Sequence, residues 1–190
     1  MPGSKITTVL LDIEGTTTPL AFVRGTLFPY AIDTIKCINF SEPPYNKYLS
    51  LFQKCDSSLT ARTVPKFIES LIKEDSKMPA LKELQGQIWR LAYESRVIKA
   101  PVYADVVPLL ECIDCYIYSS GSVSAQQSLF RYSDKGDLTR YIKGYFDPSM
   151  VGYKNERQSY ENIAESVGVS PGTILFLSDI SRGAMVSGIN

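Results

Sequence analysis

The sequence predicts an α/β fold: a parallel sheet flanked by helices, with a helical segment inserted after the first strand. Three observations carry this. The runs TTVLL (7–11), CYIY (115–118) and TILFL (173–177) lack polar alternation, as strands buried on both faces do. Each ends in a polar cluster: Asp12 and Glu14, Ser119 and Ser120, Ser178 and Asp179. Between the first two runs, residues 20–100 show helical spacing and no clear strand.

Taken in order, the first strand must end at Gly15. Thr16, Thr17 and Thr18 follow, and Pro19 blocks continuation. An aromatic-rich stretch from Phe22 to Tyr30 leads into a helix through Ile32, Ile35 and Ile38, and a loop with Pro43 and Pro44 follows. Thr63 reads as an N-cap with Pro65 in the first turn, ahead of Val64, Phe67, Ile68, Leu71 and Ile72. A second helix starts near Pro79, with Leu81, Leu84, Ile88 and Leu91 on one face and Trp89 packing beside it. The α/β pattern resumes at Asp105. A short helix through Val106, Val107, Leu109 and Leu110 precedes the CYIY strand, and a helix through Val123, Gln126, Leu129 and Phe130 follows it. Residues 142–146 form a weaker strand candidate. Lys154 precedes a helix carrying Tyr160, Ile163, Ala164 and Val167, which Gly168 closes.

Length and composition fit this plan. The chain has 190 residues and 44% apolar content, enough for one domain with an inserted subdomain. Twenty basic residues balance twenty acidic ones, so charge gives no case for nucleic acid or an anionic membrane. No run is long enough to span a bilayer, and MPGSKITT has no signal-peptide core, so a cytosolic setting with four reduced cysteines is expected. There is no histidine, which removes Ser-His-Asp and Cys-His catalysis and imidazole zinc sites.

In a parallel sheet the polar strand ends fall on one edge, where ligands bind. The residue types there divide the labour of phosphoryl transfer. Asp12 is a candidate nucleophile that can form an aspartyl-phosphate. Asp12, Asp179 and an oxygen of Glu14 suit Mg²⁺, which takes oxygen ligands. Ser119 can donate to phosphate, the N–H groups around Ser120 and Gly121 open a helix N-terminus, and Lys154 supplies a positive charge. Glu14, two residues beyond the nucleophile, can protonate the leaving oxygen and then activate water. Taken singly, these residues have plainer roles. Ser119 and Ser120 suit a helix N-cap, as does Asp179, and Lys154 suits a solvated lysine. Cys112 and Cys115 have redox spacing but no second pair and no histidine, and are expected to be inert.

The motif set resembles the haloacid dehalogenase-like phosphatases, most of which have Asp where Glu14 stands. DIEGTTTP (12–19), YIYSSGS (116–122) and FLSD (176–179) resemble a narrower group, the enolase-phosphatases (acireductone synthases) of methionine salvage. ALKELQGQIWR (80–90), ADVVP (104–108) and SYENIAES (159–166) extend the resemblance over nearly the whole chain. It implies a Rossmann-like core from 1–19 and 101–190 with a helical cap from 20–100. It implies enolisation of 2,3-diketo-5-methylthiopentyl-1-phosphate, then dephosphorylation to the acireductone 1,2-dihydroxy-3-keto-5-methylthiopentene. It also implies a single Mg²⁺ per subunit on Asp12, Glu14 and Asp179, with Ser119, Ser120 and Lys154 touching substrate. A monomer of the cytoplasm and nucleus, with no nucleic acid or membrane partner, goes with it.

Two features depart from the family pattern. The helix before YIYSSGS is short. Gly183 stands where the family has an acidic residue, and SRGAMVSGIN begins a helix where the family continues into another strand and closing helices. The expectation is a core truncated at its C-terminus, with TILFL an incompletely covered sheet edge. A non-catalytic product binding only phosphate or a partner is the alternative, and a sugar or nucleotide phosphatase of the same superfamily a third.

Overall fold

A computed structural model describes residues 5–179, so Gly183 and the rest of SRGAMVSGIN lie outside the described residues. The chain divides into a helical unit, Ala21–Ser95, and a unit made by the segments on either side of it.

Strand β1 (Thr8–Leu11) is buried at every position. After the turn that follows it, Leu20–Phe22 enters a π-helical segment, Val23–Leu27, which continues into α1 (Phe28–Cys37). Three further helices complete the helical unit: α2 (Asn46–Gln53), α3 (Val64–Lys73) and α4 (Pro79–Glu94). Their shared core includes Ile35, Tyr48, Phe52, Ile68, Leu84 and Ile88. Each such side chain, fully buried, contributes about 1.5–3 kcal/mol. Trp89 packs as expected: its ring stacks on Phe28 at 6.3 Å, and its Nε1–H donates to the Leu27 carbonyl at 2.9 Å.

Three details differ from the sequence reading. Helix α2 lies outside the sequence expectation: the cap-type Asn46 is its first residue, the N-cap Tyr45 makes no side-chain cap bond, and Tyr48 and Phe52, four apart, are what bury it. Ile38 is already extended and lies beyond α1. Thr63 does occupy the N-cap position of α3, yet its hydroxyl accepts from the Thr60 N–H at 2.9 Å rather than from its own helix.

The second unit resumes with α5 (Val106–Cys112), β2 (Asp114–Tyr118), α6 (Val123–Arg131) and β3 (Ile142–Phe146). The short α7 (Pro148–Val151), α8 (Arg157–Val167) and β4 (Ile174–Leu177) follow. One residue, Ile113, separates α5 from β2, so the cramped connection noted in the sequence is accommodated by starting the strand at Asp114. The sheet is fully parallel in the order β3-β2-β1-β4. Leu11 is level with Ile117 on one side and Leu177 on the other, so the chain leaves all three strands at one edge. Among the described residues β4 is an outer strand; Ile174 and Phe176 are buried while Leu175 and Leu177 are half-buried. Leu10, Tyr118, Phe146, Tyr160, Ile163 and Phe176 form the core on one face. No helix among the described residues is long and apolar enough to cross a membrane.

Candidate active site

The turn after β1 is built by its own hydroxyls and amides. The Ile13 carbonyl accepts from the N–H groups of Thr16, Thr17 and Thr18 at 3.0–3.2 Å, and Gly15 N–H donates to the Thr18 carbonyl at 2.8 Å. Thr17 Oγ1 donates to the Asp12 carbonyl at 3.2 Å. Thr16 Oγ1 instead accepts from the Asp179 N–H at 3.0 Å, which ties the end of β4 to the end of β1. Gly15 has φ +75°, a left-handed conformation that suits glycine, and a Cβ there would overlap the Asp179 carboxylate. The Asp179 side chain therefore lies directly against the Gly15 backbone.

Asp12 is 3% exposed, and both carboxylate oxygens have partners. Oδ1 accepts from the Ile13 N–H at 2.7 Å and pairs with the Lys154 ammonium. Oδ2 accepts from Ser178 Oγ at 2.9 Å. The Lys154 ammonium also sits 5.7 Å from the centre of the Tyr118 ring, within cation–π range. Glu14 is exposed, with its main chain bridged to Thr18.

The loop after β2 is arranged differently from the sequence reading. Ser119 is buried and Ser120 exposed, but neither caps the helix. Ser122 is the N-cap of α6, its Oγ accepting from Ala125 N–H at 3.4 Å, and Asp147 Oδ2 takes the Val123 N–H at 3.1 Å. Two first-turn donors are thus engaged by the protein, which narrows the anion-binding helix terminus expected there. The loop is held from below by Gln126, 1% exposed, whose Nε2 lies 2.7 Å from the Gly121 carbonyl, 2.9 Å from that of Phe146 and 3.4 Å from that of Ser119.

The structure thus brings Asp12, Lys154, Ser178 and Asp179 around one turn. Gln126, Asp147 and Ser178 were given no role in the sequence reading. Each makes a contact to a residue 20 or more positions away, for which the sequence carries no local signal. Cys115 is buried in β2, and burial pushes its thiol up to about 11, the opposite of an activated cysteine.

Comparison with known proteins completes the picture. No family model matches the chain. Enolase-phosphatase E1 of Klebsiella pneumoniae (strain 342) is 46% identical over 189 residues, covering 93% of this chain and 81% of that protein. Enolase-phosphatase E1 of Xenopus tropicalis is 38% identical over 210 residues, with 96% and 81% covered. This chain belongs to the enolase-phosphatase E1 family.

Solved structures agree with that placement. The UTR4 protein of Saccharomyces cerevisiae superposes with a TM-score of 0.85 at 39% identity, over 98% of this chain and 87% of that one. L-2-haloacid dehalogenase from Xanthobacter autotrophicus, at 17% identity and a TM-score of 0.54 over 97% and 75% of the two chains, shares the fold. The chain is therefore a phosphatase-type hydrolase with a haloacid dehalogenase-like α/β fold. For this enolase-phosphatase family member, the donor chemistry at the Gly15 turn fits a hard cation: Asp12 and Asp179 offer only oxygens. Among the described residues no three His, Cys, Asp or Glu side chains gather closely enough to hold a metal by themselves.

Proposed function

We propose that this chain is a Mg²⁺-dependent enolase-phosphatase of methionine salvage. It would take 2,3-diketo-5-methylthiopentyl-1-phosphate through its enol to the acireductone and inorganic phosphate. The observation that carries the reading is the Asp12 carboxylate, buried at the end of β1 and paired with Lys154. Family membership supports it, and the helical unit, Ala21–Ser95, would serve as the cap.

Asp12 and Asp179 would hold the ion with a main-chain oxygen of Glu14 and waters, which Mg²⁺ commonly retains. That donor set needs no third acidic side chain. The haloacid dehalogenase-like protein YfnB of Bacillus subtilis, with the same fold at 14% identity, was solved bound to magnesium. When bound, the ion offsets the charge of the anionic nucleophile and the phosphate.

The residues then act in order. As phosphate arrives, the Lys154 ammonium moves its attraction from Asp12 to the phosphoryl oxygens, which frees an Asp12 oxygen to attack phosphorus. The Asp12 Oδ–P bond forms as the P–O bond to the substrate carbon chain breaks. Glu14 gives its proton to the departing oxygen, then takes one from the water that hydrolyses the aspartyl-phosphate. Ser119 would hold a non-bridging oxygen through its hydroxyl, since its N–H donates to the Phe146 carbonyl, and Ser120 through its N–H.

The test is phosphate release from the diketo phosphate by purified protein. Release that requires Mg²⁺, stops with EDTA and is lost in Asp12→Asn supports the reading. Release that survives Asp12→Asn would overturn it.

A further inference from the structure

Lys154 lies in the loop between α7 and α8. A lysine carries about 2 kcal/mol of side-chain rotamer entropy and makes a point contact rather than a fork, so the backbone beneath it must fix its reach. Around this residue, consecutive backbone carbonyls each accept a hydrogen bond from a side chain. The Val151 carbonyl accepts from Asn162 Nδ2 at 3.1 Å. The Gly152 carbonyl accepts from the Tyr118 hydroxyl at 2.6 Å. The Tyr153 carbonyl accepts from Ser159 Oγ at 2.8 Å, and the Lys154 carbonyl from the Tyr160 hydroxyl at 2.8 Å.

Most loops leave such carbonyls to water. Here three of the donors come from α8, and the fourth, Tyr118, ends β2 one residue before Ser119. Gly152 completes the arrangement: it has φ +102°, and a Cβ there would overlap Ser159 Oγ. The two tyrosines are fully buried and brace each other edge to face, with ring centres 5.9 Å apart. Tyr118 meets this segment twice, through the Gly152 carbonyl that its hydroxyl holds and through its ring, which lies under the Lys154 ammonium. Because the Tyr118 main chain leads straight into Ser119, the same residue sets the spacing between the lysine and the serine loop.

We propose that Tyr118 and Tyr160 are positioning residues whose hydroxyls clamp the 152–154 backbone and so aim the Lys154 ammonium at the Asp12 carboxylate and at an incoming phosphate. The proposal rests on the functional reading above only for the phosphate. The clamp itself concerns where the ammonium is held.

Amine acylation read by mass spectrometry at fixed pH tests the clamp without needing turnover. In the unmodified protein Lys154 should label slowly. In Tyr160→Phe and Tyr118→Phe its labelling should rise several-fold, while exposed Lys143 on β3 labels as before. Unchanged Lys154 labelling in both folded variants overturns the clamp. If either variant fails to fold, Ser159→Ala, which releases the Tyr153 carbonyl and a contact to the Tyr118 hydroxyl, is scored by the same rule.

Kinetics then link the clamp to the reaction. A lysine misplaced by about 1 Å can cost on the order of a hundredfold, so Tyr160→Phe should lower kcat/KM for the diketo phosphate by roughly tenfold, mainly through KM. In a Lys154→Met background the same change should have no further effect, because the group being aimed is gone. Equal losses in both backgrounds would make Tyr160 merely structural and overturn the proposal. A protein that releases no phosphate at all refutes the functional reading, and the labelling result still decides the clamp.

Discussion

Gly15 offers the sharpest test of how the Asp179 end meets the Asp12 end. Replacing it with alanine does two separable things. A Cβ at φ +75° strains the backbone, which for an L-residue in the left-handed region costs about 1–2 kcal/mol. The same Cβ would also lie 3.0 Å from Asp179 Cβ and overlap the carboxylate beyond it. Rotation about χ1 can relieve that overlap only by carrying the Asp179 oxygens away from the turn. Gly168, which ends α8, is the internal control. It has φ +78°, and a Cβ there would meet nothing within 4 Å. Both Gly15→Ala and Gly168→Ala should therefore lose about 1–2 kcal/mol, a fall in Tm of about 2–8 °C for a domain of this size. Only Gly15→Ala should also need more Mg²⁺ for half-maximal phosphate release and show a lower kcat. Thermal melts and Mg²⁺ titrations of the two variants decide the matter. Equal Mg²⁺ requirement and equal kcat in the pair would refute the idea that Asp179 must sit against Gly15.

Other contacts around the site carry further expectations. Gln126→Leu leaves the Ser119, Gly121 and Phe146 carbonyls without their shared amide donor and should destabilise by about 2–3 kcal/mol in urea unfolding; an unchanged midpoint would show that water replaces the amide. Burial raises the Tyr118 hydroxyl from 10.0 to about 12, so the folded state holds that proton more tightly than the unfolded chain. Its stabilising contribution should be complete below pH 10 and disappear as pH rises to about 12, which melts across that window with absorbance at the tyrosinate band would register. Removing Lys154 leaves the Asp12 charge buried without its cation, so Lys154→Met should cost about 3–5 kcal/mol, and adding Asp12→Asn should recover part of that loss. A strictly additive double variant would mean the pair is not coupled.

The legible part of this protein is the part encoded locally. Each apolar strand run ends where a polar cluster begins, so Asp12, Ser119 and Asp179 could be assigned to strand ends from the sequence. Parallel pairing then levels those ends, and the register of Leu11 with Ile117 and Leu177 is the observed form of that inference. The helices with proline near the first turn, α3 and α4, were equally readable. Helix α2 was not, because its buried Tyr48 and Phe52 alone give too short a periodicity to stand out beside a proline loop. The serine loop is half-legible: its place after β2 follows from the sequence, but which serine caps α6 depends on where the chain turns, and that is Ser122.

Lys154 shows where local reading stops. The sequence places a lysine in a loop before a helix, a position that by itself suits a solvated side chain. Its pairing with Asp12 depends on a carboxylate 142 positions earlier, and its reach depends on hydroxyls from Tyr118, Ser159 and Tyr160; the apolar rings of the two tyrosines fit a core or helix-face pattern that hides their hydroxyls. A tyrosine serves both roles, burying its ring while its hydroxyl takes a backbone acceptor. Hydrophobic pattern records only the first. Donors that act on backbone carbonyls are therefore the class of functional residue most easily missed in a sequence, and in this protein they surround the lysine on which the proposed chemistry depends.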